Sequence, residues 1–314
     1  MKLTILDGHG VNPGDLSWTE FEKLAEVTVF PRTASNKVAE RIGDSDAIFL
    51  NKIQITEDIL SKCPNLKYIG VLATGYNVID LEACSKRNIV VTNIPAYSTD
   101  SVAQHVFALI LNFTNHVYLH NQSVLNGDWI NCPDFCYWLK PLTELSGKTL
   151  GIFGYGNIGM KVSQIAKAFN MNVICCTRTQ KEGMPENVTF EELLKRSDFL
   201  SLHAPLTDKT KNIMNKDTLN LMKKTAHLIN TARGGFVVEK DLADFLNQDK
   251  IAGYAADVVL EEPMSKDNPL YKAKNCVITP HIAWAPLETR TRLQKIALEN
   301  LKAYLAGKPI NQVN

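Results

Sequence analysis

The feature that most constrains this chain of 314 residues is the alternation of short β-branched runs with amphipathic helical stretches. Such runs predict strands at residues 3–6, 27–30, 47–50, 68–72 and 89–92, and again at 148–153, 172–176, 199–203, 226–230, 253–258 and 276–279. Strands that are separated by helices form βαβ units and parallel sheets. The sequence therefore predicts an α/β fold with two doubly wound parallel-sheet domains.

Length and composition agree with two globular domains. At roughly 100–200 residues per domain the chain suffices for two hydrophobic cores. Its 45% hydrophobic and 21% charged residues exclude disorder as a description of the chain. A long helix is predicted to begin near residues 98–100 and to continue to Val117, and another follows Pro286 and ends near Gly307.

Charge and apolar patterning exclude several classes of protein. The formal net charge is +1 and no long run of one sign occurs, so nucleic acid is not an expected partner. No apolar stretch approaches the ~18 residues that cross a membrane, and the first residues do not resemble a signal peptide, so a cytoplasmic protein is expected. An odd number of seven cysteines is typical of reduced thiols and not of a disulfide framework. Cys132 and Cys136 have no second pair of cysteines at zinc-finger spacing, so no metal site is predicted.

A glycine-rich turn lies between one predicted strand and a helix. The sequence G-Y-G-N-I-G places Gly154, Gly156 and Gly159 after the strand at 148–153. In that setting the first glycine allows a tight turn, the second lets a pyrophosphate approach the backbone, and the third lets helix and strand pack closely. The helix N-terminus adds free N–H groups and a positive dipole. The turn therefore predicts a dinucleotide site.

The type of dinucleotide depends on the residues after the next strand. An acidic residue about 20 positions beyond the turn would bind the ribose hydroxyls of NAD. Here Cys176 is followed by Thr177, Arg178 and Thr179. An arginine flanked by hydroxyls suits a 2′-phosphate, so the sequence favours NADP(H). NAD(H) stays open, because Arg178 could instead be solvated or lie against the adenine.

Three chemically suitable side chains follow predicted strands of the second half. Arg233 follows the strand at 226–230, Glu262 lies in the loop after 253–258, and His281 follows 276–279. The carboxyl ends of parallel strands meet at the ligand-binding edge of an α/β sheet. An arginine can bind a carboxylate, a histidine can exchange a proton near neutral pH, and a carboxylate can orient that histidine. With a nicotinamide, this set could reduce a 2-keto acid.

These residues resemble the D-isomer-specific 2-hydroxyacid dehydrogenases over essentially the whole chain. The resemblance is most specific in M-K-K-T-A-H-L-I-N-T-A-R-G-G-F-V-V-E-K-D-L (222–242), in H-A-P-L-T (203–207), and in the order of Arg233, Glu262 and His281. The runs N-I-P-A-Y-S-T-D-S-V-A-Q-H (93–105), D-F-C-Y-W (134–138) and H-I-A-W-A (281–285) resemble the glycerate dehydrogenase (hydroxypyruvate reductase) branch of that family.

The resemblance implies an architecture. Residues 1–99 and 286–314 would form a flavodoxin-like catalytic domain, and residues 100–285 a Rossmann domain that binds NAD(P). A cleft between the domains would hold the substrate, and the protein would be a homodimer.

The resemblance also implies residue roles. His281 would protonate the carbonyl oxygen as hydride arrives, Glu262 would hydrogen-bond to His281, and Arg233 would bind the substrate carboxylate and carbonyl. Further substrate contacts are expected at Asn51, Ala73, Thr74, Gly75 and Trp284. Cofactor contacts are expected at Gly154, Gly156, Asn157, Ile158, Gly159, Thr177, Arg178, Thr179, His203, Ala204, Pro205, Thr231, Ala232, Asp257 and His281.

The predicted reaction is hydride transfer between NAD(P)H and a small 2-keto acid, giving a D-2-hydroxy acid. Hydroxypyruvate and D-glycerate are the first expectation, with glyoxylate and glycolate next. A D-lactate-type dehydrogenase or another 2-keto acid reductase is an alternative. A dinucleotide-sensing corepressor built on the same fold is an alternative of another class.

Overall fold

The computed structural model describes residues 1–180 and 182–314. Within these residues the chain divides into two compact units. Unit 1 comprises Met1–Ser98 and Trp284–Asn314, and unit 2 comprises Thr99–Ala283. The chain thus leaves unit 1, completes unit 2, and returns to unit 1 with its last helix.

Strands and helices alternate in both units. The strands are β1 (Lys2–Ile5), β2 (Glu26–Val29), β3 (Ala47–Leu50), β4 (Tyr68–Val71), β5 (Val90–Thr92), β6 (Thr149–Phe153), β7 (Asn172–Cys176), β8 (Glu186–Asn187), β9 (Phe199–Leu202), β10 (His227–Asn230), β11 (Gly253–Ala256) and β12 (Cys276–Ile278). The helices are α1 (Thr19–Glu22), α2 (Val38–Ile42), α3 (Glu57–Ser61), α4 (Leu81–Lys86), α5 (Thr99–Asn115), α6 (Val117–Leu125), α7 (Asn157–Ala168), α8 (Phe190–Arg196), α9 (Lys216–Leu219), α10 (Glu239–Asn247) and α11 (Leu287–Leu305).

Unit 1 is built on a parallel sheet of order β2-β1-β3-β4-β5, the flavodoxin-like arrangement. Every residue of β3 and β4 is buried, as expected for strands covered on both faces. Ile42 of α2 and Leu60 of α3 belong to the core on one face. Leu293, Ala297 and Leu301 of α11 pack with the core of the other face. The last helix is therefore part of unit 1.

Unit 2 is built on a parallel sheet of order β12-β11-β10-β9-β6-β7-β8. The glycine-rich turn follows β6, which pairs with both β7 and β9. The chain order of the strands therefore reverses at β6, and open α/β sheets bind ligands at the carboxyl edge of such a point. The doubly wound architecture predicted for both halves of the sequence is confirmed.

The predicted long helix is interrupted, and that part of the prediction is wrong. His116 has a left-handed backbone with φ of 47°, and it separates α5 from α6. His116 and His120 therefore do not share one continuous helix.

Both ring nitrogens of His120 form hydrogen bonds, since Nδ1 donates to the His116 carbonyl at 3.0 Å and Nε2 accepts from the Leu139 N–H at 3.1 Å. The two-residue strand β8 was not predicted either.

The segment from α6 to residue 142 exposes many large apolar side chains. Ile130 and Phe135 are 85% and 88% exposed. The other strongly exposed members are Val117, Tyr118, Leu125, Trp129, Trp138 and Leu142. We call this surface the apolar segment surface. Across the described ranges, no helix combines the length and apolar character needed to cross a membrane.

Candidate active site

The turn after β6 depends on glycine. Gly154 has φ of 95°, and a Cβ atom there would lie 2.5 Å from the backbone nitrogen of Ala204, in the loop after β9. A Cβ atom on Gly159 would lie 2.4 Å from the Gly154 carbonyl oxygen. Because both approaches involve backbone atoms, a larger residue at Gly154 would displace the loop after β9, and one at Gly159 would push α7 away from the turn.

The middle of this turn leaves room for a phosphate group. A Cβ atom on Gly156 would meet no heavy atom within 4 Å. Gly156 is also the N-cap of α7, and no side chain caps the helix there. The first N–H groups of a helix lack internal acceptors and carry a positive dipole end. The turn therefore fits the pyrophosphate of a dinucleotide.

The other predicted cofactor residues follow five more strands of the same sheet. Thr177, Arg178 and Thr179 follow β7; His203, Ala204 and Pro205 follow β9; Thr231 and Ala232 follow β10; Asp257 follows β11; and His281 follows β12. All of them therefore lie at the carboxyl edge of the sheet. The buried hydroxyl of Thr231 has no hydrogen-bond partner within the described residues, which suits a ligand contact.

The Thr177–Arg178 loop is held by a side chain of β8. The amide of Asn187 accepts from the Thr177 N–H at 3.0 Å and donates to the Thr177 carbonyl at 3.2 Å. Arg178 itself is exposed. Among these residues no acidic side chain occupies the position expected to bind the ribose hydroxyls of NAD.

His203 is a neutral histidine at this edge. Its Nε2 lies 2.8 Å from Oγ of Ser201. Burial lowers the pKa of His203 to about 4. The ring is therefore uncharged at neutral pH and can take part only in neutral contacts.

The turn that carries Arg233 is fixed from two sides. Asn230, fully buried at the end of β10, accepts from the Ala232 N–H at 3.1 Å and donates to the Arg233 carbonyl at 2.9 Å. A Cβ atom on Gly234 would lie 2.0 Å from the backbone carbon of Val259. The Arg233 turn therefore packs directly on the loop that carries Glu262. The guanidinium of Arg233 is exposed, and its Nη1 donates to the Ala232 carbonyl at 2.7 Å.

Glu262 and His281 form a hydrogen-bonded pair. Oε2 of Glu262 lies 2.7 Å from Nδ1 of His281, and Oε1 accepts from the Val259 N–H at 3.3 Å. A carboxylate can only accept, so Nδ1 of the histidine donates and Nε2 is left for another partner. His281 has a left-handed backbone with φ of 56°, which an L-residue adopts at a cost. The loop after β12 must therefore be held in place by its surroundings.

Asp257 supplies that support. Its buried carboxylate accepts from the Thr279 hydroxyl at 2.6 Å and from the N–H groups of Ile282 and Ala283, each at 2.8 Å. These bonds anchor the loop on both sides of His281. The prediction for Asp257 concerned cofactor contact alone, and the sequence carries no pattern that would reveal this second role.

His105 is also connected to this loop. Its Nε2 lies 2.9 Å from the hydroxyl of Thr279, although it belongs to α5. The ring of His105 therefore reaches from α5 to the end of β12.

The predicted substrate residues of unit 1 lie after β3 and β4. Asn51 donates from Nδ2 to the Leu72 carbonyl at 2.9 Å. Asp7, after β1, accepts from the N–H groups of Asn51 and Lys52 at 2.7 and 2.8 Å. Burial raises the pKa of the Asp7 carboxyl, while those backbone hydrogen bonds lower it. Sequence reasoning missed Asp7, although a polar residue directly after a buried strand is a usable signal.

The loop after β4 presents backbone donors. In the part of the chain that the structure describes, the N–H groups of Ala73, Thr74 and Gly75 have no protein acceptor. Adjacent free N–H groups of this kind suit a carboxylate. Trp284, the fifth predicted substrate residue, is partly buried against the core that includes α11.

Comparisons with known proteins identify clear relatives of this chain. The family model of the D-isomer specific 2-hydroxyacid dehydrogenase, NAD binding domain, matches residues 107–283. A hydroxypyruvate reductase of Blautia hydrogenotrophica is 46% identical over 100% of both chains. A glycerate dehydrogenase of Methylorubrum extorquens is 38% identical over 99% of this chain and 98% of its own.

A solved structure shares the fold throughout. The NADPH-dependent glyoxylate/hydroxypyruvate reductase of Sinorhizobium meliloti, in complex with NADP and malonate, matches with a TM-score of 0.84 and 27% identity. The match covers 99% of this chain and 96% of the other. Together with the Glu262–His281 pair and the glycine turn, these similarities show that the chain belongs to the D-isomer-specific 2-hydroxyacid dehydrogenase family.

Proposed function

We propose that this protein reduces hydroxypyruvate to D-glycerate, or glyoxylate to glycolate, with NAD(P)H. The observation that carries the proposal is the Glu262–His281 pair at the carboxyl edge of the unit 2 sheet. The resemblance to hydroxypyruvate and glycerate enzymes over the full chain supports the choice of substrate.

Two side chains would manage the proton. The carboxylate of Glu262 fixes the ring of His281 through Nδ1, so that the proton exchanged with the substrate oxygen is the one on Nε2. A bound nicotinamide would supply the hydride.

Several groups are proposed as ligands of the substrate carboxylate. We assign the guanidinium of Arg233 to the carboxylate and the neighbouring carbonyl, because arginine can form paired charge-assisted hydrogen bonds. The free N–H groups of Ala73, Thr74 and Gly75 would bind the carboxylate oxygens. Asn51 and Trp284 are proposed as further substrate contacts.

NADP(H) is the proposed cofactor. Arg178, with hydroxyls at Thr177 and Thr179, would bind the 2′-phosphate, and the amide of Asn187 holds this loop. The glycine turn with Asn157 and Ile158 would bind the pyrophosphate. The edge residues His203, Ala204, Pro205, Thr231, Ala232, Asp257 and His281 would border the rest of the dinucleotide.

We further propose a cytoplasmic homodimer. The apolar segment surface exposes many large apolar side chains from one stretch of the chain, and a second copy of the chain would cover them. The seven cysteines are free thiols, which suits a reducing compartment.

Initial rates test the proposal. Oxidation of NADPH and of NADH would be followed with hydroxypyruvate, glyoxylate, pyruvate and a bulky aromatic keto acid. The highest kcat/KM is expected with hydroxypyruvate. Preference for pyruvate would instead indicate a D-lactate-type enzyme. Cofactor binding without turnover of any keto acid would favour a dinucleotide-sensing corepressor.

A further inference from the structure

Two consecutive peptides after β4 turn their carbonyl oxygens to the residues that follow β5. The Ile94 N–H donates to the Ala73 carbonyl at 3.0 Å. The side-chain amide of Asn93 donates to the Thr74 carbonyl at 2.8 Å. In a trans peptide the N–H points away from the C=O. The N–H groups of Thr74 and Gly75 therefore both point away from the residues after β5.

Asn93 thus determines the direction of one of these donors. Without its side chain, the Thr74 carbonyl would lose its partner and the Thr74–Gly75 peptide could rotate. The second N–H of the pair would then no longer point to the same side as the first. An isolated N–H binds an anion less well than two convergent ones.

Asn93 is itself held by two other asparagines. Its N–H donates to the Asn311 carbonyl at 3.1 Å, and its carbonyl accepts from Nδ2 of Asn300 at 2.9 Å. Asn311 closes the triangle by donating from Nδ2 to Oδ1 of Asn300 at 2.8 Å. Asn300 is fully buried and Asn93 is 9% exposed. Buried amides with several fixed partners have one stable orientation.

We propose that the triangle of Asn93, Asn300 and Asn311 positions the Gly75 N–H for the carboxylate of the keto acid. Asn93 is a positioning residue, because it acts through the Thr74 carbonyl. Helix α11 and residue 311 thereby contribute to substrate affinity. The inference rests on the proposed function. It adds the residues that determine how tightly the protein binds the substrate carboxylate.

Kinetics of Asn93→Ala test the proposal. We expect KM for hydroxypyruvate to rise about tenfold, the equivalent of one hydrogen bond. A contact made equally in the ground and transition states affects KM and leaves kcat nearly unchanged. We therefore expect kcat to change less than about threefold and KM for NADPH to stay constant. Asn311→Gly, which tolerates the local φ of 53°, should raise the same KM about threefold.

Two control variants separate positioning from general destabilisation. Asn172→Ala removes a similar amide-to-carbonyl bond, to Gly147 at 2.9 Å in unit 2, and should leave KM unchanged. Ile42→Val lowers the stability of the unit 1 core far from the triangle in sequence, and should also leave KM unchanged. If Asn93→Ala does not fold, Asn311→Gly decides the question.

Calorimetry with oxalate, an unreactive dicarboxylate, separates this inference from the proposed function. If wild type binds oxalate but turns over no keto acid, the proposed function is contradicted and the inference is not. In that case a weaker oxalate affinity of Asn93→Ala would still support the role of the triangle. The inference would be overturned if a folded variant, Asn93→Ala or Asn311→Gly, had the same oxalate affinity and the same KM as wild type.

Discussion

Nδ1 of His281 donates a hydrogen bond to Oε2 of Glu262 at 2.7 Å, although the two residues come from loops after different strands. His281→Ala should therefore lower kcat by about 10²–10⁴-fold, the usual contribution of a general acid. The dissociation constant of NADPH, measured by fluorescence titration, should change little. Turnover equal to that of wild type would refute the role of His281.

Glu262→Gln should have a smaller effect than His281→Ala. The amide keeps the shape of the side chain, but its NH2 group cannot accept the hydrogen bond from Nδ1, so the His281 ring is held less firmly. We expect kcat for hydroxypyruvate to fall about tenfold, because a misoriented general acid transfers its proton less well. A kcat equal to that of wild type would argue against the orienting carboxylate.

Arg178→Ala should weaken NADPH and spare NADH. A charge-assisted hydrogen bond contributes about 1.5–3 kcal/mol, so the Kd of NADPH should rise about 10- to 100-fold. Isothermal calorimetry with both dinucleotides measures the ratio directly. A proportional loss for both would mean that Arg178 does not contact a 2′-phosphate.

Gly234→Ala should destabilise the protein and lower activity. The added methyl would overlap the backbone of Val259, and such overpacking costs about 2 kcal/mol or more. The Arg233 turn would also move away from the Glu262 loop. Gly10→Ala is the matched control, because its Cβ atom would meet nothing within 4 Å. Urea unfolding of the two variants should differ clearly; similar midpoints would contradict the close approach.

His227 should make stability depend on pH. Burial, and to a smaller extent the charge of His116, lower its pKa to about 4. The unfolded state therefore binds the proton more readily, and the free energy of unfolding should fall as pH drops from about 6.5 to about 4. In this window His227→Phe should reduce the slope by up to about 1.4 kcal/mol per pH unit, with His203 still contributing. Identical slopes in urea titrations would contradict the neutral state of His227.

Phe135→Asp should dissociate the proposed dimer. Phe135 is 88% exposed on the apolar segment surface, so a charge there costs the monomer little but would be buried in a dimer. Sedimentation velocity should show wild type near twice the 35.0 kDa chain mass and the variant near that mass. A monomeric wild type would remove the basis for the proposal.

Much of the fold was predictable because buried parallel strands are continuous apolar runs. The runs A-I-F-L and F-L-S-L became β3 and β9, and the glycine turn lies where its spacing indicated. The break at His116 was not predictable, because histidine gives no local signal for a left-handed backbone. The two residues of β8 are too few for any periodicity.

Pairs from distant strands were harder to predict than single residues. Position after a strand identified Glu262 and His281, since strand ends share one edge of a sheet. Asn93 and Asn311 could not be found in that way. Their contacts depend on how α11 returns to unit 1, and the sequence does not encode that return as a local pattern.

The return of the chain beside β5 has a second consequence. Residue 312 forms an antiparallel bridge with Thr92, and the Val313 N–H donates to the Val91 carbonyl at 2.9 Å. The backbone of β5 is thereby shielded from pairing with a strand of another molecule. Such pairing at exposed sheet edges leads to aggregation. Removing residues 311–314 would thus impair solubility together with substrate affinity.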